Sequence, residues 1–153
     1  MPVRKIRIAL IEDSETVRFF YKSIFEHNGF EVPVAANAKK GWEIICDYKP
    51  DIIVLDMMLP DVSGLELLKR IRSVEFSKLI PVLVLTSIKD INQVQNILQH
   101  GANYYSVKGQ DSPEKIQEII YKLLKRSHEK KAVEVTEEKA DEKIGADRLF
   151  WYH

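Results

Sequence analysis

The sequence predicts an open α/β sheet of five parallel strands with helices on both faces. Strand and helix patterns alternate five times along the chain, and helical crossovers between strands produce a parallel sheet. Residues 52–55 and 82–85 are apolar runs without polar alternation, which is typical of strands buried on both faces. Five βα units are too few to close an eight-stranded barrel, so the sheet is expected to be open and doubly wound.

Each element has its own signal in the sequence. Strands are predicted over residues 6–11, 31–35, 51–56, 81–85 and 103–107. Pro33 cannot donate to a sheet ladder, which favours an edge position for the second strand. Helices are predicted from Ala38 to about Tyr48, and after the capping residues Ser14, Ser63, Asp90 and Ser112. The last helix is expected to end near Arg126.

Polar side chains follow four of the predicted strands at the point where each strand ends. Ligands of open parallel sheets bind at this carboxyl edge. The groups that the chain delivers there are Glu12, Asp13, Asp56, Thr86 and Lys108. Three carboxylates held close together repel one another, and an all-oxygen site of this kind suits Mg²⁺. An ammonium and a hydroxyl beside them suit phosphoryl oxygens, so the set predicts phosphoryl transfer to the Asp56 carboxylate.

Each of these residues also has a simpler interpretation. An aspartate at a strand end is usually a turn or cap residue, and an acidic pair before a helix complements the helix dipole. Lys108 alone would be an ordinary surface lysine. The functional interpretation is favoured because all five groups fall at the carboxyl ends of strands in a single sheet.

These motifs resemble those of CheY-like receiver domains, the response-regulator receivers of two-component signalling. The resemblance covers residues 5 to about 126 and implies a flavodoxin-like (βα)5 fold with strand order 2-1-3-4-5. The matching pieces are Glu12-Asp13, Asp56 with Leu59-Pro60 and Ser63-Gly64, Thr86-Ser87, and Gly101-Ala102 with Tyr105 and Lys108. Residues 1–127 are therefore identified as a receiver domain.

The resemblance implies a role for each site residue. Asp56 would accept a phosphoryl group from a histidine kinase or a phosphotransfer protein. Lys108 would bind that group, while Thr86 and Tyr105 would switch position in response. The implied Mg²⁺ ligands are Asp13, Asp56, the backbone carbonyl of Met58 and, through water, Glu12. The family usually has proline after its lysine, so Gly109 predicts a looser loop before the last helix.

Two enzyme classes on related folds fit less well. A phosphatase of the haloacid dehalogenase type needs a second acidic residue two positions after its nucleophile, where this chain has Met58. A flavodoxin needs a glycine- and hydroxyl-rich phosphate loop after the first strand, where Glu12 and Asp13 would repel phosphate. The chain is therefore expected not to be an enzyme beyond phosphorylation and dephosphorylation of Asp56 itself. A receiver that acts without phosphorylation stays an alternative.

Composition limits which binding partners and which cellular location are expected. The 23 basic and 23 acidic residues balance, which gives no electrostatic reason to expect nucleic acid as a partner. The sequence lacks an apolar run long enough for a membrane helix, so a cytoplasmic protein is predicted. By resemblance, the downstream protein target is expected on the face of the fourth helix, fifth strand and fifth helix. The residues expected there are Ile91, Gln95, Tyr105 and Lys122.

Residues 128–153 form a charged segment that is expected to be a solvated linker or tail, partly helical at most. It ends in Leu149, Phe150, Trp151 and Tyr152, and such large apolar side chains are typical anchors in interfaces. These four residues are predicted to dock onto a partner or back onto the domain. A single-domain regulator without DNA-binding output is expected, and a fragment of a longer regulator is the alternative.

Overall fold

The computed structural model describes residues 4–144 of the chain, and the side chains of residues 4–130. Within these residues, strands and helices alternate as the sequence predicts. The strands β1 to β5 are Ile8–Ile11, Val34–Ala35, Ile52–Leu55, Val82–Thr86 and Tyr104–Val107. The helices α1 to α5 are Glu15–His27, Ala38–Tyr48, Gly64–Ser73, Ile91–Gln99 and Pro113–Ile144.

The five strands form one parallel sheet in the order β2-β1-β3-β4-β5, which confirms the predicted fold class and strand order. The short strand β2, which directly follows Pro33, lies at the edge of the sheet as predicted. Ile11 pairs with Leu55, and Thr86 pairs with Val107. This register brings the last residues of neighbouring strands side by side at one edge.

Helices cover both faces of the sheet, so the fold has two apolar cores. Helices α1 and α5 pack on one face, and α2, α3 and α4 pack on the other. Every residue of β1, β3 and β4 is buried, as the apolar runs predict. Side chains of alternate residues enter opposite cores, and the two layers together fix the sheet that carries the site.

Side chains cap the helices at their first turns. All four predicted caps are present: the side chains of Ser14, Ser63, Asp90 and Ser112 accept hydrogen bonds from the amides of Val17, Glu66, Gln93 and Lys115. Helix α2 has two further caps, because Asn37 accepts from Lys40 N and Asp61 accepts from the amides of Ala38 and Lys39. Asp61 follows β3, so it ties the loop after Asp56 to the start of α2.

Helix α5 is longer than the sequence pattern indicates. It runs to Ile144, so the predicted end near Arg126 was wrong. Residues 127–144 contain neither glycine nor proline and are rich in glutamate and lysine, which favour a helix. The predicted docking residues 149–152 lie outside the described residues. Among those described, none of the helices combines the length and apolar character needed to cross a bilayer.

Candidate phosphoacceptor site

The sheet ladder continues one residue past the strands and so places the functional side chains. Glu12 N donates to Ala35 O at 3.0 Å, and Asp56 N donates to Ile11 O at 3.0 Å. On the other side, Lys108 N donates to Thr86 O at 2.9 Å. The first residue after each of these strands is therefore held in register with its neighbour, and the side chains meet at the carboxyl edge.

Lys108 lies between two buried carboxylates. Its Nζ is 2.9 Å from Asp56 Oδ2 and 2.9 Å from the Glu12 carboxylate. Glu12 and Asp56 are only 2% and 3% exposed, so both carboxylates depend on the groups around them for hydrogen bonds. Met58 N donates to Asp56 Oδ1 at 3.1 Å, and Ser14 N donates to Glu12 Oε1 at 3.2 Å.

Asp13 completes an acidic cluster with these two residues. One carboxylate oxygen from each of Glu12, Asp13 and Asp56 lies within 4.8 Å of the others, and Asp13 is exposed to solvent. The three carboxylates outnumber the Lys108 ammonium, so these four side chains together carry a net negative charge. An all-oxygen, negatively charged set with one open side fits a hard divalent cation such as Mg²⁺. The predicted contribution of the Met58 backbone carbonyl stays a prediction.

The two predicted switch residues occupy different environments. Thr86 is fully buried at the end of β4, and its Oγ1 has no hydrogen-bond partner within the described part of the chain. An unpaired buried hydroxyl costs about 1–3 kcal/mol, so this group is ready to bind an acceptor. Tyr105 is half-buried against the core on the α4 side of the sheet, and its hydroxyl donates to Ile88 O.

The electrostatics of the cluster follow from its burial and from the Lys108 ammonium. Burial raises the pKa of Glu12 to about 7, the hydrogen bond from Lys108 opposes this, and the charge of Asp56 adds to it. Burial lowers the pKa of Lys108, but its hydrogen bonds to Asp56 and Glu12 outweigh burial and raise that pKa overall. The ammonium is therefore charged at neutral pH, while Glu12 holds its proton more tightly than an exposed glutamate.

This shift makes stability depend on pH when divalent cations are absent. A pKa raised on folding means that the folded state binds the Glu12 proton more tightly than the unfolded state does. The contribution is fully present below pH 4.5 and is lost as the pH rises through about 7. We expect urea unfolding to show a loss on the order of 1–3 kcal/mol across this window, relative to Glu12→Gln. Equal pH profiles for the two proteins would contradict this.

Sequence reasoning missed a packing role for Gly64. Its amide donates to Met57 O at 2.8 Å, directly behind the site. A Cβ at this position would lie 2.3 Å from Asp56 O and 2.6 Å from Met57 Cα. The Ser63-Gly64 pair signals a helix start, but the close approach of that helix to Asp56 depends on how α3 packs, which a local motif does not reveal.

The comparison with protein families decides which family the chain belongs to. The model of the response regulator receiver domain matches residues 8–121, most of the chain. The chain belongs to the response regulator receiver family. The match confirms the resemblance drawn from the sequence. Receiver domains of this family are phosphorylated on an aspartate and bind Mg²⁺ through acidic residues.

Curated relatives of this receiver include several transcriptional regulators. The chain is 35% identical over 101 residues to the transcriptional regulatory protein AfsQ1 of Streptomyces coelicolor, which covers 66% of this chain and 44% of that protein. It is 27% identical over 118 residues to sporulation initiation phosphotransferase F of Bacillus subtilis, with 77% and 93% covered. The chain thus spans about half the length of AfsQ1 and nearly all of the phosphotransferase.

Solved structures agree with this assignment. A CheY-like response regulator receiver domain from Methanospirillum hungatei superimposes with a TM-score of 0.77 at 25% identity, covering 82% of this chain and 98% of that one. A response regulator from Chloroflexus aurantiacus gives a TM-score of 0.74 at 27% identity, with 79% and 98% covered. The receiver fold therefore accounts for most of the described residues.

Proposed function

We propose that this receiver accepts a phosphoryl group on Asp56 from a phosphohistidine of a histidine kinase or phosphotransfer protein. The observation that carries the proposal is the buried Asp56 carboxylate, bound by Lys108 at 2.9 Å and flanked by Glu12 and Asp13. This carboxylate lies directly after β3 at the carboxyl edge of the sheet, with the Lys108 ammonium beside it. These are the requirements of a nucleophile that receives phosphate.

The transfer itself is a substitution at phosphorus. An Asp56 oxygen forms the new O–P bond as the P–N bond of phosphohistidine breaks, and the electron pair of that bond stays on the imidazole nitrogen. Lys108, already 2.9 Å from Asp56, binds a phosphoryl oxygen and offsets its charge. The Met58 amide, which donates to Asp56 Oδ1, holds the other carboxylate oxygen and so orients the nucleophile.

A divalent cation would be held by Asp13, Asp56 and the Met58 carbonyl, with Glu12 acting through water. When bound, Mg²⁺ supplies positive charge to the phosphoryl oxygens and reduces the repulsion between phosphate and the acidic cluster. The three clustered carboxylates support this assignment because their combined charge exceeds that of Lys108. Glu12 must lose its proton at neutral pH for the cluster to reach its full charge.

Phosphorylation would then change the conformation through Thr86 and Tyr105. The unpaired Thr86 hydroxyl supports this, since a phosphoryl oxygen offers the acceptor that it lacks. A state in which Thr86 binds the phosphate is stabilised relative to the free state, and the population shifts toward it. Tyr105 lies on β5, one strand away, and its bond to Ile88 O couples it to the loop that follows Thr86.

The signal is proposed to reach a protein target through the face of α4, β5 and α5. Ile91 and Leu98 on α4 are 66% and 42% exposed, which leaves apolar surface free for a partner. Gln95 on α4 and Lys122 on α5 are exposed as well, and Tyr105 on β5 is partly buried. The proposal also includes a cytoplasmic location and a target that is a protein and not a nucleic acid. Residues 149–152 are proposed to dock onto a partner or back onto the domain.

Two arrangements of the output stay open. The near-complete coverage of sporulation initiation phosphotransferase F favours a receiver that works alone. The partial coverage of AfsQ1 and of other named transcriptional regulators favours a receiver linked to an effector. The proposed chemistry at Asp56 is the same in both.

The proposal is tested by incubating the chain with acetyl phosphate and Mg²⁺ and measuring intact mass. We expect one hydroxylamine-labile phosphate per chain in the wild type and none in Asp56→Asn, because the amide is not a nucleophile. Turnover of acetyl phosphate without a stable adduct would favour an enzyme instead. A wild-type chain that takes up no phosphate would favour a receiver that acts without phosphorylation.

A further inference from the structure

The loop between β5 and α5 carries Lys108 and turns sharply after it. Lys108 N donates to Thr86 O at 2.9 Å, and Gln110 N donates to Val107 O at 3.0 Å. Gly109 has a φ of 84°, in the left-handed region that residues with a Cβ adopt rarely. Glycine permits this turn but contributes no rigidity of its own, so the loop needs another constraint to hold Lys108 in place.

A partly buried side-chain hydrogen bond provides such a constraint. Ser106 lies on β5 and is 1% exposed. Its Oγ donates to Asp111 Oδ2 at 2.7 Å. Since the acceptor is a carboxylate, the bond is of the stronger, charge-assisted kind. Asp111 directly precedes Ser112, the cap of α5, so the bond connects the last strand to the start of the last helix.

Lys108 lies on the same face of the sheet as the Ser106–Asp111 hydrogen bond. Tyr104 on β5 packs against the core between the sheet and helices α1 and α5. Side chains two positions apart on a strand point to the same face, so Ser106 and Lys108 lie on this face of the sheet too. Tyr21 on α1, which belongs to the same core, responds to both loop charges. Burial raises the pKa of Tyr21, the Lys108 ammonium lowers it, and the Asp111 carboxylate raises it. The charges of Asp111 and Lys108 therefore both act on one buried aromatic side chain.

We infer that the Ser106–Asp111 hydrogen bond positions Lys108 for its contacts with Asp56 and Glu12. Gly109 gives the loop its turn, and the bond fixes the far end of the loop against β5, so the Lys108 side chain leaves the backbone in one direction. Ser106 and Asp111 are positioning residues that act through Lys108. The inference rests on the proposed function, since it concerns the same phosphoryl transfer.

The decisive comparison is between Asp111→Ala and Asp111→Asn. Alanine removes the acceptor, whereas asparagine keeps an amide oxygen that accepts from Ser106 without the negative charge. We expect Asp111→Ala to be phosphorylated by acetyl phosphate about tenfold more slowly than the wild type, and Asp111→Asn to stay within about twofold. The Mg²⁺ dissociation constant is expected to be unchanged in both, because Glu12, Asp13 and Asp56 are intact.

Backbone mobility gives a second measurement that needs no phosphate. We expect the NMR order parameters of residues 108–111 to fall from about 0.85 to below about 0.6 in Asp111→Ala and to recover in Asp111→Asn. If Asp111→Ala does not fold, Ser106→Ala breaks the same bond and leaves Asp111 to water. The same loss of rate and order is expected for it.

Two glycines offer a matched control for the turn. Gly29 and Gly109 have φ values of 92° and 84°, and nothing lies within 4 Å of a Cβ added at either. Gly29→Ala and Gly109→Ala therefore impose similar backbone strain without a steric clash. Only Gly109→Ala is expected to slow phosphorylation, because Gly29 lies between α1 and β2, away from Lys108.

The outcomes separate this inference from the proposed function. Asp111→Ala with wild-type rate and wild-type order parameters would overturn the inference while leaving Asp56 as the acceptor. Equal losses in Asp111→Ala and Asp111→Asn would overturn it too, since the charge and not the bond would then matter. A wild type that takes up no phosphate would refute the proposed function, and the order parameters alone would then decide whether the bond holds the loop.

Discussion

Replacing Lys108 with alanine is expected to slow phosphorylation of Asp56 by about 100- to 1,000-fold, the usual cost of losing one group that stabilises the charge of a transition state. The Lys108 ammonium lies 2.9 Å from Asp56 and from Glu12 and is the cation that touches both. Its loss leaves two buried carboxylates facing the incoming phosphate, which repel it. The measurement is the rate of phosphate uptake from acetyl phosphate at saturating Mg²⁺.

An exposed lysine provides the control for this experiment. Lys40 pairs with Glu43 at 3.4 Å on the surface of α2, with its side chain 65% exposed. Lys40→Ala removes one positive charge and one ion pair but leaves the site intact, so its rate is expected to stay within about twofold of the wild type. A Lys108→Ala rate equal to that of Lys40→Ala would show that the Lys108 contact is not used in the transfer.

Replacing Gly64 with alanine is expected to destabilise the fold by about 3 kcal/mol, at the upper end of the range for overpacking. The new Cβ would lie 2.3 Å from the Asp56 carbonyl oxygen and 2.6 Å from Met57 Cα. Both are backbone atoms of the segment that follows β3, so α3 or that segment must move. The free energy of unfolding in urea measures the loss, and the same movement is expected to displace Asp56 and slow its phosphorylation.

Gly41→Ala is the matched control, since it also adds a methyl group to a buried helical glycine. There the nearest atoms all belong to the Ile11 side chain, with Cδ1 at 2.8 Å and the two Cγ atoms at 3.1 and 3.2 Å, so a side chain and not the backbone must shift. Alanine also favours a helix over glycine by roughly 0.5–1 kcal/mol, which offsets part of the strain. Gly41→Ala is thus expected to cost much less than Gly64→Ala. Equal costs would mean that the approach of α3 to Asp56 is not rigid.

The sequence predicts the sheet well because its signals are local. Continuous apolar runs mark β3 and β4, and Pro33 marks the edge strand. The position of the site follows from one general rule, that parallel sheets bind ligands at their carboxyl edge. Knowing the strands is therefore enough to place Glu12, Asp56 and Lys108 near one another.

The features that the sequence does not reveal depend on contacts between distant segments. Asp61 caps α2 from the loop that follows β3. Gly64 comes close to the Asp56 carbonyl only when α3 has packed against the sheet. The Ser106–Asp111 bond forms across a turn whose shape a motif does not specify. The predicted end of α5 near Arg126 was wrong for a different reason: the apolar periodicity stops there, although the glutamates and lysines that follow favour a helix.

The identity of the phosphorylated residue tests the central claim most directly. Borohydride reduces an aspartyl phosphate to homoserine, and peptide mass spectrometry of the reduced protein then locates the modified position. We predict homoserine at residue 56 after incubation with acetyl phosphate and Mg²⁺, and no conversion in untreated protein. Homoserine at Asp13 instead, or a stable phosphate elsewhere with Asp56 unchanged, would contradict the assignment of Asp56 as the phosphoacceptor.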